Sequence, residues 1–143
     1  MCENLIFAKD ELIRGGHTLV LYDGSELISS SERGIKPLLK LFYTGRDFSP
    51  FSAADKVVGR AAAFMYSLLN VRRLYAEVVS EVALDVLSAS GIEVKYGKLV
   101  KNISNRTGDG ICPMEKATLD ISTANEALSA IEKKLAELSG TKK

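Results

Sequence analysis

The sequence is poor in the residues that bind metals and form disulfides. Its 143 residues include two cysteines, Cys2 and Cys112, and one histidine, His17. Two cysteines cannot make the framework of several disulfides that stabilises small secreted domains. Zinc sites take their Cys and His ligands at characteristic short spacings, and these three residues lie far apart in the chain. The sequence therefore predicts no disulfide framework, no metal and no cofactor.

An excess of either charge and a long hydrophobic run are also missing. The chain has 19 basic and 18 acidic residues, so no basic surface for nucleic acid or an anionic membrane is expected. Its apolar stretches are much shorter than the roughly 20 residues that cross a bilayer. Charged residues near the N-terminus, such as Lys9 and Asp10, do not fit a signal peptide. We therefore expect a cytoplasmic protein that binds neither nucleic acid nor membrane.

The first half of the chain predicts a helix, a hairpin and two more helices. Apolar residues recur at helical spacing over residues 5–13. Two strands follow, at about 18–22 and 25–29, with Asp23-Gly24 as the turn between them. A short helix starts near Lys36-Pro37. Ser52-Ala-Ala-Asp55 has the form of a capping box, which predicts that the next helix starts there and continues to Leu69.

The second half alternates strand and helix. Residues 72–79 and 92–96 read as strands, with a helix capped by Ser80 between them, and a weaker strand is predicted near 99–103. Helices are predicted from Pro113 and over residues 124–138. A strand–helix–strand unit favours a right-handed crossover between parallel strands. The predicted fold class is therefore α/β, a three-layer α/β/α arrangement around a mixed sheet.

The length fits one domain over residues 1–143, with a core at about 17–120 and a C-terminal helix at about 122–139. That last helix carries an apolar stripe. The stripe either covers the sheet or forms the seam of a homodimer.

The order of these elements resembles the cytidine deaminase-like fold. In that fold a hairpin precedes a helix with a His/Cys-Ala-Glu motif, and the next strand leads into a helix with Pro-Cys-x-x-Cys. The corresponding places here are residues 59–63 and 80–83, and neither holds a zinc ligand. The resemblance implies a deaminase-like scaffold without zinc-dependent deamination.

More closely, the chain resembles an uncharacterised prokaryotic family, a domain of unknown function assigned to that fold. The similarity covers about residues 17–120 and rests on the segments 34–38, 55–63, 80–81, 105–106 and 112–115. Arg60 stands where the family pattern has lysine. The resemblance implies a fold but no particular activity.

Three stretches supply candidate site residues. Small residues at 59–63 allow either a ligand or the sheet to approach closely. The loop at 105–112 has glycines, an arginine and a helix start, which suit an anion, although a surface loop with a capped helix explains them equally. Cys112 is the candidate catalytic residue. The candidate ligand-binding residues are Lys36, Asp55, Lys56, Arg60, Ser80, Glu81, Asn105, Arg106, Cys112 and Glu115.

Three functions remain open on these residues. The first is a zinc-free binding domain for a small anionic or nucleotide-like ligand, held in a crevice beyond the C-terminal end of strand 72–79. The second is a metal-independent enzyme that uses Cys112 with Lys56 or Arg60 and with Glu81 or Glu115. The third is a structural or oligomerisation protein with no ligand. The lack of a paired base and nucleophile favours binding over catalysis.

Overall fold

A computed structural model describes residues 2–105 and 107–138. In chain order the elements are α1 (Glu3–Arg14), β1 (Leu19–Tyr22), β2 (Leu27–Ser30), α2 (Lys36–Tyr43), β3 (Ser52–Val58), α3 (Arg60–Leu69), β4 (Arg73–Ser80), α4 (Glu81–Ala89), β5 (Glu93–Val100), α5 (Pro113–Thr118) and α6 (Ala124–Leu138).

The strands form one mixed five-stranded sheet in the order β2-β1-β3-β4-β5. β1 is antiparallel to both β2 and β3, whereas β3, β4 and β5 run parallel to one another. The predicted mixed sheet is confirmed, and so are its antiparallel hairpin and its parallel pair around α4. Prediction of a single domain over the whole chain stays a prediction.

Helices lie on both faces of the sheet, but unequally. On one face α1 buries Leu5, Ala8 and Leu12 against Val20 and Ala54. The other helices contribute to a larger core cluster, in which α3 is almost wholly buried and α6 supplies Ala127 and Ile131. The stripe on α6 therefore packs into the core against α3 and α5, and not directly on the sheet as one interpretation predicted. The homodimer seam stays a prediction.

The predicted helix start at Ser52 is wrong, because residues 52–58 form the central strand β3. Ser52 pairs with Tyr22 on one side and with Arg73 on the other, so the segment hydrogen-bonds to two neighbours. A strand buried on both faces does not alternate polar and apolar residues, and Ala53 and Ala54 are both fully buried. The helix begins at Arg60 instead.

Two smaller predictions also need correction. The hairpin turn is centred one residue later than predicted, because Asp23 N–H bonds to the Glu26 carbonyl at 3.3 Å and encloses Gly24 and Ser25. Gly24 has a φ of +99°, which glycine tolerates. The two strands predicted near 92–103 are one continuous strand, β5.

The positions of α3 and α4 define the place where a site would form. α3 follows β3 after Gly59 alone, and α4 follows β4 directly. Both helices therefore start at the carboxyl ends of neighbouring parallel strands, the usual location of ligands in open α/β sheets. Among the described residues, no helix is long and apolar enough to cross a membrane.

Candidate functional site

The buried carboxylate of Glu115 fills the space between the starts of α3 and α4. Only 1% of Glu115 is exposed. Its Oε1 accepts hydrogen bonds from the Arg60 backbone N–H at 2.6 Å and from the Ser80 hydroxyl at 3.0 Å. Its Oε2 accepts from the Ile103 N–H at 2.5 Å. One side chain on α5 thus joins the ends of β3 and β4 to the segment that follows β5.

Gly59 makes room for this carboxylate. A Cβ built on Gly59 would lie 2.9 Å from Glu115 Oε1 and 3.2 Å from Ile103 Cγ1. The φ of Gly59 is −96°, which any residue adopts, so the requirement is for space and not for backbone freedom. The small residue at position 59 therefore serves close packing against Glu115, one of the two interpretations of this segment.

Ser80 has two hydrogen-bonding roles. Its hydroxyl oxygen accepts from the Ala83 N–H at 3.1 Å, which confirms the predicted N-cap of α4. The same hydroxyl donates to Glu115. Glu115 does not cap its own helix α5, since its oxygens bond to other elements. The positive ends of α3 and α4 consequently face a carboxylate that the protein itself supplies.

The Arg60 guanidinium group is held by three backbone carbonyls. Nε donates to Thr118 O at 2.8 Å, Nη1 to Val82 O at 3.0 Å and Nη2 to Ile121 O at 2.7 Å. The group also lies 5.2 Å from the centre of the Phe64 ring. Arg60 therefore ties together α3, α4, α5 and the loop after α5, and its orientation is fixed.

A groove of about 400 Å³ opens between α3 and α4, and Arg60 forms part of its lining. Its lining combines apolar surface with one acid, one guanidinium group and three hydroxyls. The lining residues are Arg60, Phe64, Ser67, Asp85, Val86, Ala89, Ser90, Ser122 and Ala124. In the described part of the chain, no hydrogen bond or ion pair involves the Asp85 carboxylate or these three hydroxyls. The groove thus offers polar groups that a bound molecule could use.

Asp55 lies away from this junction, in a buried pair with Tyr66. The Tyr66 hydroxyl donates to Asp55 Oδ2 at 2.5 Å. Part of the surface of Asp55 reaches solvent, but its carboxyl group is enclosed by protein, and this burial raises the pKa of Asp55 to about 7. Burial also raises the pKa of Tyr66 well above its ordinary value. Asp55 therefore titrates near neutral pH.

Several predicted site residues are not brought into the junction. Lys36 at the start of α2, Lys56 on β3 and Glu81 at the start of α4 are all exposed. Lys56 and Asp55 are consecutive strand residues, so their side chains point to opposite faces of the sheet. They cannot line one pocket together, as their predicted position on a helix allowed.

The loop after β5 is organised by its own residues. The side chain of Asn105 accepts the N–H groups of Gly108 at 2.8 Å and Asp109 at 3.2 Å. These bonds engage the Asn105 side chain within the loop itself. Arg106, the predicted anion clamp of this loop, lies outside the described residues.

Cys112 stands at the N-cap position of α5, one helical turn before Glu115. Its backbone N–H donates to the Ile103 carbonyl at 2.8 Å, which holds it at the edge of the junction. His17 lies elsewhere, 4.0 Å from Glu11 of α1. Cys112 is therefore not paired with the histidine as a catalytic nucleophile requires. Among residues 2–105 and 107–138, no cluster of His, Cys, Asp and Glu has the arrangement of a metal site.

The sequence interpretation missed the residues that shape the groove. Phe64 and Ser67 follow Arg60 at helical spacing of four and seven positions, so the α3 sequence already placed them on one face with it. Asp85 and Ala89 share a face of α4 in the same way. No local signal indicated that these two faces meet, because the contact joins two helices separated by a strand.

Comparison with known proteins identifies relatives of unknown function. Residues 7–135 match the TM1506 family, described as a domain of unknown function (DUF1893). The crystal structure of a DUF1893 family protein (TM1506) from Thermotoga maritima is similar to this chain, with a TM-score of 0.87 and 25% sequence identity. The similarity covers 94% of this chain and 92% of that one. No curated protein matches the sequence. Since the family match spans most of its length, the chain belongs to the DUF1893 family of domains of unknown function.

Proposed function

We propose that the chain is a binding domain that holds a small ligand of the nucleobase or nucleoside class in the groove between α3 and α4. The observation that carries this proposal is the groove itself, whose volume of about 400 Å³ suits a small molecule. Its apolar surface comes from Ala89 and from the small accessible parts of Phe64 and Val86, which are 4% and 7% exposed.

The polar groups favour a ligand with acceptors at one end and donors at the other. A guanidinium group carries five N–H donors, and three of those on Arg60 bond to backbone carbonyls, so donors remain. Asp85 can only accept hydrogen bonds when ionised. The carbonyl and amino groups of a nucleobase match this pair. The Asp85 carboxylate would repel a free anion. Of the two ligand classes that the sequence suggested, the nucleotide-like class is therefore favoured over a small anion.

We also propose that the scaffold is deaminase-like and that Glu115 fills the position left by the zinc site. The support is the order of elements, with the hairpin β1–β2 before β3 and with α3 and α4 starting at adjacent strand ends. A carboxylate that accepts three hydrogen bonds there closes the crevice predicted beyond β4. A ligand therefore has the neighbouring groove, rather than this crevice, as its available space.

The enzyme hypothesis has less support. Cys112 has no histidine beside it, and Lys56 is exposed on β3. If the groove binds no ligand, the third hypothesis, a structural protein without a ligand, is the one left.

Titration followed by NMR tests the proposal. Cytidine, adenosine, guanosine and uridine are added separately to the labelled chain, with ribose and inorganic phosphate as comparison compounds. We expect at least one nucleoside to shift the amide signals of Phe64, Ser67 and Ser90, and phosphate and ribose to leave them unchanged. Asp85→Asn should weaken that binding about tenfold, the effect of losing a hydrogen bond to a charged group.

Glu81→Gln is the matched control, because Glu81 lies one turn earlier on the same helix but does not line the groove. This variant should bind like the wild type. Failure of all four nucleosides to bind would overturn the proposal. Equal losses in Asp85→Asn and Glu81→Gln would also overturn it, since the groove would then not be the site.

A further inference from the structure

The strand β5 forms one edge of the sheet, and half of its backbone groups point outward. β5 pairs with β4 and is last in the strand order. The N–H of Glu93 donates to the Arg72 carbonyl at 2.9 Å, so Glu93 faces β4. Backbone groups alternate in direction along a strand. The residues whose N–H and C=O point away from β4 are therefore Val94, Tyr96, Lys98 and Val100.

This edge is long and carries apolar side chains. β5 has eight residues, whereas β2 at the opposite edge has four. Tyr96 is 44% exposed and Leu99 is 38% exposed. In the part of the chain that the structure describes, the outward backbone groups make no hydrogen bond. An open edge of this length is a template for an added strand.

We propose that β5 pairs antiparallel with β5 of a second copy of this chain, so that two sheets join into one. Lysines on an edge usually discourage pairing, so the register must keep Lys95 and Lys98 away from like charges. The backbone N–H and C=O groups that point away from β4 belong to even-numbered residues. In an antiparallel pair of β5 strands, an even-numbered residue of one copy must therefore hydrogen-bond to an even-numbered residue of the other. The remaining registers differ in the charges that they bring together.

One register forms a charge pair and sets no like charges directly opposite one another. It sets Gly97 against Gly97 on the two-fold axis, where neither copy has a side chain to obstruct the approach. The facing pairs are then Glu93 with Lys101, Val94 with Val100, Lys95 with Leu99, and Tyr96 with Lys98.

The neighbouring registers are less favourable. The register that faces Lys98 with Lys98 brings like charges together. The register that faces Tyr96 with Tyr96 leaves Glu93 opposite Leu99 and loses the charge pair. Charge complementarity therefore selects the register centred on Gly97. β5 contributes no residue to the lining of the ligand groove.

Analytical ultracentrifugation of the full chain over a wide concentration range tests the interface. The wild type should show a monomer–dimer equilibrium. Lys98→Pro removes an outward N–H and leaves the bonds to β4 in place, so it should abolish the dimer while the circular dichroism spectrum stays unchanged. Lys98→Ala keeps the N–H and should still dimerise. A wild type that is monomeric at every concentration, or a dimer that persists in Lys98→Pro, would overturn the proposal.

A charge exchange tests the register separately. Glu93→Lys should weaken the dimer because it places a lysine opposite Lys101. Adding Lys101→Glu to the same chain should restore the dimer, because the exchanged charges again face one another. A double variant that dimerises no better than Glu93→Lys alone would refute the pairing.

Discussion

The Glu115 carboxylate occupies space that is free because residue 59 is a glycine. Its carboxylate accepts hydrogen bonds from three segments that are distant in sequence, and it approaches Gly59 too closely for a Cβ. A glycine with a φ of −96° is ordinarily a good site for alanine, which stabilises by about 0.4–1 kcal/mol through the unfolded chain. Because of the close contact with Glu115, alanine at position 59 should destabilise the protein instead of stabilising it.

The prediction is that Gly59→Ala destabilises the protein by about 1–3 kcal/mol, the usual cost of overpacking. Urea unfolding measures it. The matched background is Glu115→Ala, which removes the carboxyl group that the new Cβ would approach. In that background Gly59→Ala should cost less, because the two substitutions act on one contact. Strictly additive effects would show that Gly59 is not there for Glu115.

At the scale of elements, Arg60 connects two helices and a loop to α3. Lysine has a single ammonium group and cannot reach the Val82, Thr118 and Ile121 carbonyls in the same geometry. Arg60→Lys should therefore cost about 1.5–3 kcal/mol, as expected for losing hydrogen bonds to a charged group. Hydrogen exchange should accelerate over residues 113–121 before it does in β3 or β4.

The matched control is Arg46→Lys. Arg46 bonds to Glu26 through two N–H groups at 2.9 and 3.1 Å, but this pair is exposed. Exposed pairs contribute about 0–1 kcal/mol, so the control should change stability little. A loss in Arg60→Lys no larger than in Arg46→Lys would mean that the three carbonyl bonds contribute nothing specific.

Elements whose signals are local could be predicted from the sequence, and β3 could not. The N-cap at Ser80 and the start of α5 at Pro113 depend on residues within one turn, so the local pattern was sufficient. In β3 the four residues from Ser52 to Asp55 mimic a helix cap, and the pairing with β1 and β4 overrides that preference. The junction around Glu115 could not be predicted for the same reason. Glu115 hydrogen-bonds to Arg60, which is 55 residues away in the sequence, and no local pattern indicates such a contact.

The stability of the whole molecule depends on pH through Asp55, an acid enclosed in its interior. Asp55 lies between the sheet and α3, where burial raises its pKa from 3.8 to about 7 and the Tyr66 hydroxyl partly offsets the increase. In the unfolded chain this group titrates near its ordinary value. Between about pH 4 and pH 7 the folded state therefore holds a proton that the unfolded state has released.

The stability that Asp55 contributes is thus fully present below about pH 4 and is lost as pH rises towards 7. Relative to Asp55→Asn, the wild type should lose a few kcal/mol between about pH 4 and pH 8, since each pKa unit corresponds to about 1.4 kcal/mol. Urea unfolding at several pH values measures the difference. Tyr66→Phe should move the midpoint of this transition upward, because it removes the bond that lowers the pKa of Asp55.

Asp23→Asn is the control of opposite sign. The backbone N–H groups of Glu26 and Ser25 lower the pKa of Asp23, so its contribution is lost only when pH falls below about 4. Between about pH 5 and pH 8 this variant should run parallel to the wild type. If the wild type and Asp55→Asn also stayed parallel over that range, Asp55 would be ionised in the folded state, and the protein would tolerate a buried charge beside Tyr66.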